Sequence, residues 1–143
     1  MSDYPQPFSR LLHLTAHAWR LAVDRRLKES GLSMSSWMAI ATVATASAPP
    51  TQKALAQLLG LEEASVVPLV DRLVRQQLLA RVQPKEDRRK RLLVLTEQGS
   101  VAFAEVKTQA DALRAQLLAD IDPEALAVTE QVLQQLLTRL GTS

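Results

Sequence analysis

The sequence has no cysteine and few glycines or aromatic residues, and each scarcity excludes a class of function. Without cysteine there is no disulfide framework, thiolate nucleophile, iron–sulfur cluster or cysteine-bound zinc. The four glycines, Gly31, Gly60, Gly99 and Gly141, are too far apart for a Rossmann or Walker phosphate loop, which needs several glycines close together. The five aromatic side chains are too few for a surface that stacks single-stranded bases. These scarcities do not exclude binding to a nucleic-acid duplex.

The chain of 143 residues has the length of one domain, and a hydrophobic content of 47% is enough for a core. The uncharged apolar stretch at residues 37–48 is shorter than the roughly 20 residues that span a bilayer. The N-terminus lacks the basic start and apolar run of a secretion signal. We therefore expect one folded unit that is soluble, cytoplasmic and not associated with a membrane.

Apolar residues recur at helical spacing through most of the chain. The first predicted helix covers residues 7–30 and ends before Gly31, which readily takes a left-handed conformation. Ser33 is a suitable N-cap for a second helix, which we expect the Pro49–Pro50 pair to end.

Two short helices follow, separated by a glycine. Thr51 is positioned to cap the third predicted helix, which ends at Gly60, and the fourth begins at Glu62 or Glu63, whose charges suit a helix N-terminus. This pattern predicts a helix-turn-helix.

Two β-compatible runs, residues 78–83 and 91–96, flank a charged segment and predict a β-hairpin. Thr96 then begins a long helix, and the Asp122–Pro123 pair begins the last one. The expected fold class is mainly α with a small β-hairpin, a winged helix-turn-helix with additional N- and C-terminal helices.

The last two helices carry apolar stripes wider than one winged-helix core can cover, so part of each is expected to face a second subunit. We therefore predict a homodimer built from a single domain, residues 1–143. Its DNA-binding lobe would comprise residues 32–96, and its dimerisation helices residues 7–30 and 97–141.

The positive charge of the chain is concentrated on the predicted hairpin. From Arg81 to Arg91 there are six basic and two acidic side chains, a net charge of +4, so the rest of the chain carries −2. Flexible cations on a hairpin can reach phosphates and a narrow minor groove. An isolated basic hairpin is more often a solvated turn, but a recognition helix in the major groove would place the following hairpin near the neighbouring backbone.

Three segments together resemble the MarR family of bacterial transcriptional regulators: residues 60–73, reading GLEEASVVPLVDRL, then Asp87-Arg88-Arg89, then residues 93–99, reading LVLTEQG. The Asp-Arg-Arg followed by Leu-Thr-x-x-Gly is the specific part. Within this family, residues 25–28 and 32–37 resemble the SlyA-like branch most closely. The resemblance implies a homodimer that binds a palindromic double-stranded DNA operator. It also implies that small anionic or aromatic effectors bind between the dimer layer and the DNA-reading lobes. We expect a repressor that such an effector releases from DNA.

The resemblance also implies roles for residues of the predicted hairpin. Arg89 would enter the minor groove while Asp87 holds its guanidinium, a task that suits the planar fork of arginine. Asp87 is equally suited to capping its own turn, and both roles can coexist. The full set of predicted DNA-binding residues is Gln52, Ala64, Ser65, Pro68, Arg72, Arg75, Lys85, Asp87, Arg88, Arg89 and Lys90.

On the fourth helix, Ala64 and Ser65 occupy positions where the family touches bases, although Ser65 also suits an ordinary first turn. Pro68 stands where some relatives carry a long polar base reader, so any contact there would be apolar, such as one to a thymine methyl. Arg72 and Arg75 can reach the DNA backbone or aspartate partners.

Gln77 occupies a turn in which the family usually has glycine, so it is either strained by about 1 kcal/mol or the turn differs. Gln52, at the start of the third helix, is a candidate for phosphate contact, with helix capping as the alternative.

His13 and His17 lie four residues apart, the spacing of a metal pair, but no third ligand is evident and we predict neither a metal nor a cofactor. Packing, dimer contacts or a pH-sensitive surface are the other interpretations of the pair. His17, Met34 and Trp37 are candidates for an effector pocket, with a core position as the alternative for Trp37.

Two other functions compete with transcriptional regulation. One is a winged-helix protein-interaction module that binds an acidic partner through the basic hairpin. The other is an enzyme, which we do not expect because the histidines and carboxylates have no nucleophile, phosphate loop or metal set around them.

Overall fold

The computed structural model describes residues 7–141, so the N-terminal segment that was considered for a secretion signal lies outside the described residues. The main elements are α1 (Pro7–Arg26), α2 (Met34–Thr45), α3 (Gln52–Leu59), α4 (Glu63–Arg75), β1 (Leu79–Val82), β2 (Leu92–Leu95), α5 (Glu97–Leu118) and α6 (Pro123–Arg139). This order confirms the predicted fold class, a helix-turn-helix followed by a β-hairpin and flanked by helices.

Four helices begin at the predicted caps. The side chains of Ser33, Thr51, Thr96 and Asp122 each accept a hydrogen bond from the backbone N–H three residues further on. Each cap satisfies an amide that the first helical turn leaves without a partner, and Pro123 fits the first position of α6 because that position needs no N–H.

The prediction of one helix over residues 7–30 is wrong at its C-terminal end. Helix α1 ends at Arg26, and Lys28–Ser30 form a separate 3₁₀ turn. The hydroxyl of Ser30 donates to the carbonyl of Leu27 at 2.5 Å, and this tighter turn places the Leu27 side chain in the core. Gly31 then takes the expected left-handed conformation, with φ of 77°.

Helix α2 ends at Thr45, earlier than the Pro49–Pro50 pair predicts, because Ala46 is already extended. Pro50 is buried, and its carbonyl accepts a hydrogen bond from the Leu93 N–H at 2.8 Å. Thr51 also forms an isolated bridge to Leu92. The segment before α3 is therefore attached to strand β2.

Strands β1 and β2 pair antiparallel, with Leu79 opposite Leu95 and Val82 opposite Leu92. Both are shorter than the predicted runs. Leu79 and Leu93 join one core that draws on α1 to α5, and Leu95 packs against it, whereas Val82 is exposed. In the part of the chain described, no helix is long and apolar enough to cross a membrane.

Helix α6 contributes no buried residue to this core. Large apolar side chains are exposed along α1 and along α6 and its C-terminal end, as the wide apolar stripes of the sequence predict for α6. We call this set the α1–α6 apolar surface, and it includes Phe8, Leu11, Leu12, Val128, Val132, Leu133, Leu137 and Leu140.

Candidate nucleic-acid interface

Helix α4 has a buried face and an exposed face, as its sequence pattern predicts. Its buried residues are Val66, Leu69, Val70 and Leu73. The predicted base and backbone readers of this helix are all exposed, and they are Ala64, Ser65, Pro68, Arg72 and Arg75. Ala64 and Ser65 are adjacent, and Pro68, Arg72 and Arg75 follow at intervals of three and four residues, so all five share one side of the helix.

Pro68 lies inside α4 without ending it, since the helix continues to Arg75. Proline has no N–H to donate to the carbonyl of Ala64, four residues earlier. Because both residues are exposed, water can satisfy that carbonyl.

The turn after α4 is held against the start of α5. Gln77 has φ of 62°, so it adopts the left-handed conformation that the family's usual glycine would take. The Thr96 hydroxyl donates to the Gln77 carbonyl at 2.5 Å, and the Thr96 N–H donates to the Leu78 carbonyl at 3.2 Å. A Cβ on Gly99 would lie 2.0 Å from the Leu78 carbonyl oxygen, so only glycine fits there. The Leu-Thr-x-x-Gly motif therefore joins the end of α4 to α5.

At the tip of the hairpin, called the wing (residues 83–91), Asp87 makes both contacts considered for it. One carboxylate oxygen, Oδ1, accepts from the backbone N–H of Arg89 at 3.0 Å and lies 3.3 Å from its Nε. The Arg89 side chain is 93% exposed, so it projects from the tip. Lys85, Arg88 and Lys90 are also exposed.

A cleft of about 620 Å³ lies between the wing and the first turns of α3 and α4. Its lining contains five cationic side chains and one carboxylate, together with two polar residues: Thr51, Gln52, Lys53, Glu63, Arg81, Arg89, Lys90 and Arg91. The cleft brings three of the predicted DNA-binding residues together, Gln52, Arg89 and Lys90. The α4 readers and the wing residues Lys85 and Arg88 lie outside its lining.

Arg81 is a component of this face that sequence reasoning gave no individual role. It lies on β1, and its Nη2 donates to Asp71 Oδ1 on α4 at 2.5 Å while its Nε donates to Gln52 Oε1 on α3 at 3.0 Å. The only signal in the sequence is a charged residue inside an otherwise apolar strand.

The predicted effector residues separate in the structure. Met34 and Trp37 line a cavity of about 190 Å³ between α1, α2 and α5. His17 is not among its lining residues; it is exposed, and its ring stacks on that of His13 with centroids 6.4 Å apart. Trp37 also stacks on Phe103, at 5.6 Å, and packs against the core, as its alternative interpretation predicts.

Over residues 7–141 no three or more His, Asp or Glu side chains are grouped closely enough to hold a metal ion. The polar groups on the exposed side of α4, the cleft and the wing are instead suited to hydrogen bonds and ion pairs with a large anionic partner.

A protein-family model described as the MarR family matches residues 30–90. The structure of the transcriptional regulator PA3341 is similar to this chain, with 37% sequence identity, coverage of 95% of this chain and 99% of that one, and a TM-score of 0.86. A MarR family transcriptional regulator from Silicibacter pomeroyi has 27% identity over the full length of both chains and a TM-score of 0.85. MepR from S. aureus, solved as a complex with DNA, shares the fold at a TM-score of 0.85, with 19% identity over 96% of this chain and 99% of that one.

Proposed function

Because this chain belongs to the MarR family, we propose that it is a sequence-specific, double-stranded DNA-binding transcriptional regulator that acts as a homodimer in the cytoplasm. The observation that carries this proposal is the placement of the basic cleft beside the first turn of α4, with Arg89 projecting from the wing. Helix α4 would enter the major groove and Arg89 the adjacent minor groove.

Within this proposal each predicted residue has a distinct task. Ala64, Ser65 and Pro68 would face base edges, and Arg72 and Arg75 the backbone. Gln52, Lys85, Arg88 and Lys90 would contact phosphates, and Asp87 would orient Arg89. Contacts to phosphate position the protein and contacts to bases specify the sequence, so the affinity should depend strongly on salt.

We also propose that a small aromatic or anionic effector enters the cavity between α1, α2 and α5. A dry cavity of about 150 Å³ holds one benzene ring, so about 190 Å³ accommodates a single aromatic group. Met34 and Trp37 would contact the ring, and Arg114, which also lines the cavity, would attract an anionic substituent. Binding there would release the operator by favouring a different spacing of the two recognition helices, and the regulator would then be a repressor.

The domain boundaries belong to the same proposal. Residues 32–96 would form the DNA-reading lobe, and residues 7–30 and 97–141 the dimer layer. The α1–α6 apolar surface supports this division, because α6 buries no residue within its own subunit.

The test is selection of duplexes from random-sequence DNA with the purified protein, followed by gel-shift measurements. We expect a palindrome whose half-sites lie about one helical turn apart, and loss of tight binding when about five base pairs are inserted between them. If no duplex is enriched, the proposal is wrong. An acidic protein partner for the wing then becomes the better interpretation.

A further inference from the structure

Arg81 connects three elements of the proposed DNA-binding face. It belongs to β1, Asp71 to α4 and Gln52 to the first turn of α3. The Arg81 and Asp71 side chains are 29% and 44% exposed, so their ion pair is more shielded from water than the pair at the wing tip, where Arg89 is 93% exposed.

The contact with Arg81 determines which way the Gln52 amide faces. Arginine has only donors, so the Gln52 oxygen must be the atom that accepts from Arg81 Nε. The Gln52 NH₂ group is then the end that remains for another partner. Gln52 lines the cleft with Lys53 and Arg89 at the start of α3, where the first backbone N–H groups have no acceptor within the helix.

The negative charge of Asp71 indicates that this residue serves the contact with Arg81 rather than a contact with DNA. A carboxylate on the recognition helix opposes an approaching polyanion, and its removal by itself should tighten DNA binding. Asp71 is instead bonded to Arg81, so it attaches α4 to the hairpin. Leu93 N–H and the Pro50 carbonyl attach the start of α3 to the same hairpin.

From these contacts we propose that Arg81 is a positioning residue for operator recognition. It holds α4 and the Gln52 amide in the arrangement that reads DNA, without contacting DNA itself. This inference rests on the proposed function. If Arg81 has this role, tight binding of the specific duplex depends on Asp71, even though Asp71 is acidic.

The experiment uses the full chain and two probes, a duplex selected from random DNA by the unmodified protein and a scrambled duplex of the same composition. Fluorescence anisotropy is measured over a series of salt concentrations for Asp71→Asn, Arg81→Lys, Arg81→Ala and the double variant Asp71→Asn with Arg81→Ala. Circular dichroism verifies that each variant is folded. Arg81→Lys keeps the charge but loses the fork that bonds two partners at once, and Asp71→Asn keeps the shape, so both remain informative if Arg81→Ala fails to fold.

We expect Asp71→Asn and Arg81→Lys each to lower affinity for the selected duplex about tenfold, because DNA binding must then restore the arrangement that this charged hydrogen bond holds in the free protein. Affinity for the scrambled duplex should not fall in either variant, and the salt dependence should change little. The double variant should be no weaker than Arg81→Ala alone, because both substitutions break the same connection.

Two results would overturn the positioning role. One is selected-duplex binding by Asp71→Asn that equals or exceeds that of the unmodified protein. The other is a salt dependence for Arg81→Ala that is shallower by about 0.9, the signature of a lost phosphate contact. Failure of the unmodified protein to enrich any duplex would instead remove the proposed function and this inference together.

Discussion

Arg89 and Arg81 lie a few residues apart in sequence, yet their surroundings differ. Arg89 is almost fully exposed and is bonded to Asp87 within its own turn. Arg81 is partly buried and is bonded to residues of two other elements. A side chain of the first kind can move to meet a ligand, whereas one of the second kind keeps neighbouring elements in place.

The prediction for Arg89→Ala follows from its exposure. Affinity for the selected duplex should fall about tenfold. The slope of log affinity against log salt should become shallower by about 0.9, because the variant makes one fewer phosphate contact and its binding releases fewer counterions from the DNA. Gel shifts or anisotropy over a salt series measure both quantities. Lys107→Ala is the control, since Lys107 is an exposed cation on α5 that pairs with Asp111, and it should leave both unchanged. An unaltered slope for Arg89→Ala would contradict its assigned contact.

Gln77 is a second residue whose conformation has a measurable consequence. Its φ of 62° is unfavourable for any residue with a Cβ, so Gln77→Gly should raise the free energy of unfolding by about 1 kcal/mol. Chemical denaturation measures this change. The control is Gln76→Gly, one position earlier, where φ is −78° and glycine should destabilise the protein by about 0.5–1 kcal/mol. Equal effects of the two substitutions would argue against strain at Gln77.

At the scale of elements, the junction between α4 and α5 depends on one threonine. The Thr96 hydroxyl accepts from the Gly99 N–H as the N-cap of α5, and it donates to the Gln77 carbonyl at the end of the recognition helix. The Thr96 side chain therefore joins the DNA-reading lobe to α5, a helix of the proposed dimer layer.

Thr96→Ala should destabilise the protein by about 1–2 kcal/mol, since it removes the cap and the bond to the preceding turn together. Thr96→Ser retains the hydroxyl and should lose much less. Thermal or chemical unfolding of the two variants provides the comparison. If serine is as damaging as alanine, packing of the methyl group rather than hydrogen bonding holds the junction.

At the scale of the whole molecule, the described chain leaves the α1–α6 apolar surface uncovered by its own core. Burial of apolar surface contributes roughly 25 cal/mol per Å², so a second copy that covers this surface supplies the main stabilisation of a dimer. A dimer in turn doubles the DNA contacts and imposes the spacing of the half-sites.

Substitution of Val132 and Leu133 together by arginine should convert the dimer into a monomer, because two charges would have to be buried in the interface. Since α6 buries no residue within the subunit, the monomer should stay folded. Light scattering after gel filtration gives the molecular mass. The affinity for a duplex with two half-sites should fall when the protein becomes monomeric. The matched control, Gln131→Arg with Gln134→Arg, adds the same charge to the polar side of α6 and should remain dimeric. A dimeric Val132/Leu133 variant would place the interface elsewhere.

Much of the fold follows from short-range information in the sequence. The caps Ser33, Thr51, Thr96 and Asp122 act on an amide three residues away, so the helix starts could be predicted from neighbouring residues alone. The concentration of cations between residues 81 and 91 and the Leu-Thr-x-x-Gly motif are likewise properties of the sequence. The Asp87–Arg89 contact was predictable for the same reason, since it lies within one turn.

Only the tertiary structure decided the contacts between residues distant in sequence. Arg81 reaches Asp71 and Gln52, which are 10 and 29 positions away, and no local pattern distinguishes it from its basic neighbours. The end of α1 depends on burial of Leu27, and the separation of His17 from the cavity of Met34 and Trp37 depends on how α1 packs on α2 and α5. Periodicity and capping are set by adjacent residues, whereas the pairing of side chains from different elements exists only once the core has fixed the distances between those elements.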